Sequence, residues 1–136
     1  MTPLRIQPCW LPVVAMMIAT TAHGVELIGD PVRGKAQYES RCTACHSLDY
    51  SRIGPAHRGV FGRHAGRVGG FDYSPAVKRS HVVWNAKSLD RWLTNPEAFI
   101  PGQKMGYFVP DAKDRADIIA FLASPDAMTS DNKRSP

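Results

Sequence analysis

The feature that constrains the fold most is the pentapeptide CTACH at residues 42–46, which precedes a long segment without a helical hydrophobic period. Residues 47–83 contain Gly or Pro every few positions, a pattern typical of loops. So long a loop-rich segment is unusual in a compact domain. We therefore expect a large buried group to supply the apolar core that this segment lacks.

The first 24 residues have the composition of a cleaved secretory signal. Arg5 is the only charge before Glu26, the run WLPVVAMMIAT is apolar, and TTAHG offers cleavage positions after Ala22 or Gly24. A transmembrane anchor is the alternative, but the apolar run is shorter than the ~20 residues that span a bilayer and contains Pro12. We expect residues 1–24 to be removed, residues 25–124 to form one domain and residues 125–136 to be a flexible tail. Export would place the protein in a bacterial periplasm.

The net charge of +5 predicts a mildly basic surface that suits acidic protein partners. There is no dense basic run and no nucleic-acid-binding motif, so nucleic acid is not an expected partner. After removal of the leader we expect a monomer without a membrane span.

A Cys-x-x-Cys pair has several possible uses. A thioredoxin-like dithiol would follow a strand of a βαβ unit, and no such pattern exists here. A zinc site needs two further ligands, whereas Cys9 lies in the leader and His57, His64 and His81 are scattered. A disulfide stays possible in an oxidising compartment. His46, directly after Cys45, favours covalent haem attachment, in which both thiols add to haem vinyl groups and the imidazole binds the iron.

The first predicted helix begins after Asp30, an N-cap residue, and runs to about Cys42. Val32 and Tyr38 are its apolar positions. Gly34 in its interior costs ~1 kcal/mol relative to alanine, which indicates a close helix–helix contact.

Two more helices follow the loop-rich segment. One is capped by Asn85 or Ser88, ends at Asn95, and carries an apolar stripe of Leu89, Trp92 and Leu93. The other begins at Asp111 and ends at Ser124, with an inner face of Ile118, Phe121 and Leu122. No strand pattern is persuasive. The predicted class is therefore all-α, with a few helices and long loops around one covalently bound haem.

Met105 is the candidate for the second axial ligand of the iron. It is the only methionine between the leader and the tail, and Pro101-Gly102 and Gly106 keep its segment out of a helix. A lone methionine is more often a core residue. As a ligand opposite histidine, its thioether would raise the reduction potential.

The chain resembles class I cytochromes c, especially the mitochondrial-like proteins and the bacterial cytochromes c2. The similarity runs over residues 29–123. It consists, in order, of GDPVRGKAQY, CTACH, GPAHRGVFGR, GFDYSPAVK, VVW, LDRWLTNPEAFIPGQKM and DIIAFL. The resemblance implies the class I cytochrome c fold and one haem c attached through Cys42 and Cys45.

The resemblance also implies roles for individual residues. The carbonyl of Pro55 would accept the ring N–H of His46. Trp92 stands where a tyrosine usually lies near the ligand methionine. The side chains that would hold the haem propionates are Arg63, Tyr73 and Trp84. The helix contact would join Gly34 and Tyr38 to Ile118 and Phe121. Ordinary core packing is an alternative for the aromatic residues.

Four features depart from the family pattern. His57 replaces a leucine that packs on the haem, and we expect a packed or hydrogen-bonded histidine, not a ligand. Gln103 replaces a threonine beside Met105, and Val77 replaces an asparagine. The loop at residues 47–53 is shorter than in the mitochondrial proteins.

The expected function is that of a soluble one-electron carrier, not an enzyme. It would cycle Fe(III)/Fe(II) between a reductase and an oxidase or reaction-centre partner, and no residue is expected to be catalytic. Arg41 and Lys104 are candidates for the docking rim. Two alternatives remain: an open-site haem protein that binds a small ligand or peroxide after displacement of Met105, and a fixed electron-transfer subunit of a larger oxidoreductase.

Overall fold

The computed structural model describes residues 28–130, and the predicted leader therefore lies outside the described residues. Within that range the chain forms six helices: α1 Pro31–Arg41, α2 Pro75–Lys78, α3 Ala86–Thr94, α4 Pro96–Phe99, α5 Ala112–Leu122 and α6 Pro125–Met128. In this part of the chain the only extended pairing is an isolated antiparallel bridge between His64 and Val83. The all-α prediction is confirmed.

Helix α1 begins as the sequence predicts. The Asp30 carboxylate accepts hydrogen bonds from the backbone N–H groups of Val32 and Arg33, and Pro31 occupies the first turn. Tyr38 is buried, but Val32 is 79% exposed, so its assignment to the apolar face was wrong. The inward face of α1 is centred on Gly34 and Tyr38, and a residue two positions from Gly34 points away from it.

Helices α1 and α5 form the principal contact of the fold. A Cβ atom at Gly34 would lie 1.8 Å from the carbonyl oxygen of Asp117 and 3.0 Å from the Cβ of Phe121. The Tyr38 and Phe121 ring centroids are 5.2 Å apart. The predicted contact is therefore confirmed for Phe121, and glycine is needed at position 34 because the two backbones touch.

A buried carboxylate ties the start of α1 to α5. Asp117 is 2% exposed and accepts hydrogen bonds from Arg33 Nε at 2.8 Å, Lys113 Nζ at 3.0 Å and the Asp30 backbone N–H at 2.7 Å. The Arg33 hydrogen bond holds the pKa of Asp117 well below its usual range. A buried charge requires such partners, which explains a carboxylate in the helix contact.

Helix α3 matches its prediction closely. Asn85 is the N-cap, and Asn85 and Ser88 form a reciprocal capping box. Leu89 and Leu93 are buried, and Trp92 is partly buried against the core. The stripe therefore faces inward.

Three short helices were missed by the sequence analysis. Helix α2 lies in the segment predicted to be loop, α4 lies in the Pro/Gly-rich segment after α3, and α6 lies in the predicted flexible tail. The tail prediction is wrong for α6, because Ala127 is fully buried and its carbonyl accepts the Gly59 N–H at 3.0 Å. The end of the tail, residues 131–136, lies outside the described range. No helix in residues 28–130 is long and apolar enough to cross a membrane.

Gly34→Ala is expected to lower the free energy of unfolding by about 2–3 kcal/mol, the upper range for overpacking. The helix propensity gained from alanine, ~1 kcal/mol, does not offset a clash with the α5 backbone. Denaturant unfolding of the pigmented protein measures the change. Gly69→Ala is the control, because a Cβ there would meet no atom within 4 Å. Equal stability of the two variants would contradict the assigned contact.

Candidate functional site

The CTACH motif forms a turn at the carboxyl end of α1. Cys42 is the C-cap residue, and its carbonyl accepts hydrogen bonds from the N–H groups of Cys45 at 3.1 Å and His46 at 2.8 Å. Both cysteines are free thiols; Cys42 is half-buried and Cys45 exposed. Burial raises the pKa of Cys42 to about 11, so that thiol is protonated at neutral pH. The turn keeps both thiols and the histidine together.

The His46 imidazole is oriented by a backbone carbonyl. Its Nδ1 lies 2.8 Å from the Pro55 oxygen. A carbonyl oxygen can only accept, so Nδ1 carries the proton and Nε2 keeps its lone pair. Burial lowers the pKa of His46, which keeps the ring neutral. The geometry therefore presents one imidazole nitrogen as a metal ligand.

Gly54 allows the loop to approach His46. A Cβ at this position would lie 2.1 Å from His46 Cε1. The Gly54 N–H donates to the Cys45 carbonyl at 2.8 Å, which holds the loop against the motif. The sequence analysis did not single out Gly54, although its place directly before Pro55 was a usable signal.

His57 packs against His46, as expected for a histidine that is not a ligand. The two ring centroids are 4.0 Å apart, with an interplanar angle of 20°. The Nδ1 atom of His57 is buried and has no hydrogen-bond partner among the described residues. Burial, with smaller contributions from His46 and Arg63, holds the pKa of His57 well below its usual value.

The residues predicted to hold propionates lie in different surroundings. Arg63 is half-buried and donates to the carbonyls of Arg58 at 2.8 Å and Ala56 at 2.9 Å. The Tyr73 hydroxyl accepts from the Val68 N–H at 3.3 Å, and burial raises the pKa of Tyr73. Their propionate contacts stay predictions.

The two predicted tryptophans lie together. Trp84 is buried, and its ring centroid is 5.4 Å from that of Trp92 and 6.5 Å from that of Phe99. Val77, a departure from the family pattern, is also buried in this core. The pair therefore belongs to the apolar core, and its contact with the cofactor stays a prediction.

Met105 lies in a stretch without helix or strand, which we call the methionine segment (residues 101–110). The side chain is half-buried. The Gln103 side-chain oxygen accepts a hydrogen bond from the Met105 backbone N–H, so the glutamine helps to fix the backbone at the methionine. Gly102 has a φ of 84°, which favours glycine at this turn.

Arg115 anchors the far end of the methionine segment. Its guanidinium donates to the carbonyls of Val109 at 3.0 Å and Pro110 at 2.8 Å, and to the carboxylate of Asp90 at 2.7 Å. The Val109 N–H donates to the carbonyl of Leu93 at 2.7 Å. The sequence analysis missed Arg115, because its role depends on partners in α3 and in the segment itself.

The two candidate docking residues, Arg41 and Lys104, have different surroundings. Arg41 is largely engaged within the fold: it donates to Gln37 at 2.6 Å and to Asp114 of α5 at 2.8 Å. The α1–α5 contact therefore holds its guanidinium, and its place at a docking rim stays a prediction. Lys104 is exposed and stays a candidate.

These residues fit a covalently attached haem. The motif offers two free thiols and an imidazole whose Nε2 is available to a metal. Gly54, next to Pro55, has no side chain that would displace the imidazole ring.

Comparisons with known proteins agree with this geometry. The cytochrome c family profile matches residues 31–125. Cytochrome c of Euglena viridis is 44% identical over 97 residues, which cover 69% of this chain and 95% of that protein. Cytochrome c2 of Rhodopila globiformis is 42% identical over 97 residues, covering 69% and 92%. Among solved structures, cytochrome cH from Methylobacterium extorquens superposes with a TM-score of 0.66 at 36% identity, covering 69% and 97%. The chain therefore belongs to the cytochrome c family of electron-transfer proteins, and its haem c is bound covalently through Cys42 and Cys45.

Proposed function

We propose that this cytochrome is a diffusing one-electron carrier whose haem iron is ligated by His46 and Met105. The haem supplies an Fe(III)/Fe(II) couple at a potential that its axial ligands set. The protein residues hold the ligands in place and exclude water from them. The hydrogen bond between His46 Nδ1 and the Pro55 carbonyl is the observation that carries the proposal.

The hydrogen bonding of His46 suits this role. The Pro55 carbonyl fixes the tautomer, so Nε2 is the nitrogen left for the iron. The same hydrogen bond increases the electron density on the ring, as carbonyl partners of metal-bound histidines do. Gly54 and His57 confine the ring from the protein side.

Met105 is the proposed ligand opposite His46. The Gln103 side chain orders its backbone, and Arg115 and Leu93 fix the end of the methionine segment. A ligand held on an anchored segment keeps its position in both oxidation states. Electron transfer then requires little rearrangement of the protein.

We propose that partners bind near the methionine segment through a small, charge-steered contact. Lys104 is exposed beside Met105, and the aromatic side chains of Tyr107 and Phe108 are 42% and 57% exposed. A net charge of +5 favours redox proteins with acidic docking surfaces. With the leader-like residues 1–24, we place the mature protein in a bacterial periplasm as a monomer.

Optical spectra and a redox titration test this function. Protein exported by a host with haem-attachment machinery is expected to show a sulfur-to-iron band in the far red when oxidised, and no spectral change with carbon monoxide when reduced. The titration should follow a single one-electron curve. Native size measurement is expected to give a monomer.

Other outcomes would favour the alternatives. Carbon monoxide binding to the reduced protein, without a far-red band in the oxidised form, indicates an open-site haem protein. Purification of the native protein within a larger assembly indicates a fixed subunit. Either result contradicts the proposal.

A further inference from the structure

His57 and Tyr38 form a column behind the imidazole of His46. The His57 ring lies nearly parallel to the His46 ring at 4.0 Å. The Tyr38 ring lies next to the His57 ring, with their centroids 5.7 Å apart and their planes at an angle of 57°. Tyr38 is 3% exposed and packs on Phe121, which fixes the column to α5.

Two polar atoms in this column are buried without a partner. The Tyr38 hydroxyl and His57 Nδ1 make no hydrogen bond with the described part of the chain. An unpaired buried polar group costs ~1–3 kcal/mol, so a hydrogen-bonded link between the two atoms would remove this cost at both rings. A phenol can donate and a neutral imidazole nitrogen can accept, so the two atoms are chemically complementary.

The Pro55 carbonyl accepts from His46 Nδ1 at one edge of the ring, and the backbone of Gly54 packs closely beside it. The stacked His57 ring adds a flat surface against the face of the imidazole, which restrains the tilt of its plane. A leucine, which the family commonly has at this position, would fill the volume but would offer neither a planar face nor a polar tether.

We propose that His57 is a positioning residue for His46: the Tyr38 hydroxyl is linked to His57 Nδ1 through one water, and the stacked His57 ring sets the plane of the His46 imidazole. The inference rests on the proposed ligation by His46. It assigns a role to a residue in which this chain departs from the family pattern.

The test compares His57→Leu, His57→Phe and Tyr38→Phe in the oxidised haem protein. Paramagnetic proton NMR is the measurement, because the spread and order of the haem-methyl shifts depend on the plane of the axial imidazole. His57→Leu should fold, since leucine is usual here, and should shift the haem-methyl pattern. His57→Phe keeps a flat face and should stay nearer to wild type. Tyr38→Phe should move the pattern in the direction of His57→Leu by a smaller amount.

Ile119→Ala is the control, because it truncates a buried side chain on α5 and lowers stability without changing the column. The inference is overturned if His57→Leu leaves the haem-methyl shifts unchanged. It is also overturned if Ile119→Ala changes these shifts as much as His57→Leu does. A wild-type pattern in Tyr38→Phe overturns the tether. Wild-type protein that lacks hyperfine-shifted signals from the His46 ring would contradict the proposed ligation itself.

Discussion

Met105→Ala is expected to lower the reduction potential by a large part of the ~0.8 V range that axial ligands set in haem proteins. A thioether binds Fe(II) relatively better than Fe(III), so its loss favours the oxidised form. The far-red band should disappear, and the reduced protein should bind carbon monoxide. Voltammetry and optical spectra measure the three changes.

Met128→Ala is the matched control for this change. Met128 is the other methionine among the described residues, and it lies 38% exposed at the end of α6. The Met128→Ala variant should have the same reduction potential and the same far-red band as wild type. The anchors at Arg115 and Leu93 do not involve the Met105 side chain, so the methionine segment is expected to keep its path in Met105→Ala. An unchanged far-red band in Met105→Ala would rule out its assignment as a ligand.

Replacement of Cys42 and Cys45 by alanine is expected to abolish covalent haem and, with it, the folded state. The two thiols are the only covalent link that the described chain offers, since both are free in the turn after α1. Acid–acetone extraction should then remove all colour from the polypeptide. Circular dichroism should show a loss of most helical signal at 25 °C.

The loss of fold follows from the distribution of helices. Between α1 and α3 the chain contains only the four-residue helix α2, so this half of the molecule has little helical core of its own. Thr43→Ala is the control: it keeps both thiols and removes only the hydrogen bond from the Thr43 hydroxyl to the Glu39 carbonyl. It should stay pigmented and folded. A colourless double variant with native helical signal would show that the loops pack without the haem.

The long helices were predictable because their signals are local. Asp30, Asn85 and Asp111 cap α1, α3 and α5 with their own side chains, and each lies within three residues of the groups it caps. The short helices α2, α4 and α6 span one turn each, which is too short to show a period of 3.6 residues. Proline at the first position of all three, after Ser74, Asn95 and Ser124, was the remaining signal.

The residues of the candidate site differ in how far they could be predicted from the sequence. The chemistry of the CTACH motif can be inferred from five consecutive residues, and Met105 can be inferred from its place between the leader and the tail on a segment rich in Pro and Gly. Pro55 needed the resemblance to a family. Asp117 and Arg115 were missed, because nothing near them in the sequence marks them as buried. Asp117 meets Arg33 across 84 positions of the chain, and Arg115 meets Asp90 across 25. Charged residues on a helix are usually solvent-exposed, and only the folded topology shows that these two are not.

Arg115 holds the far end of the methionine segment, so we expect local stability to differ along this segment. Val109 and Pro110 are tied to α3 and α5, while Tyr107 and Phe108 just before them lie open to solvent. We therefore expect amide hydrogen exchange in residues 104–108 to proceed by local opening while the helices stay intact. If Met105 is the ligand that we propose, release of its sulfur would involve this short stretch alone, with the hydrogen bonds of Arg115 to Val109 and Pro110 retained.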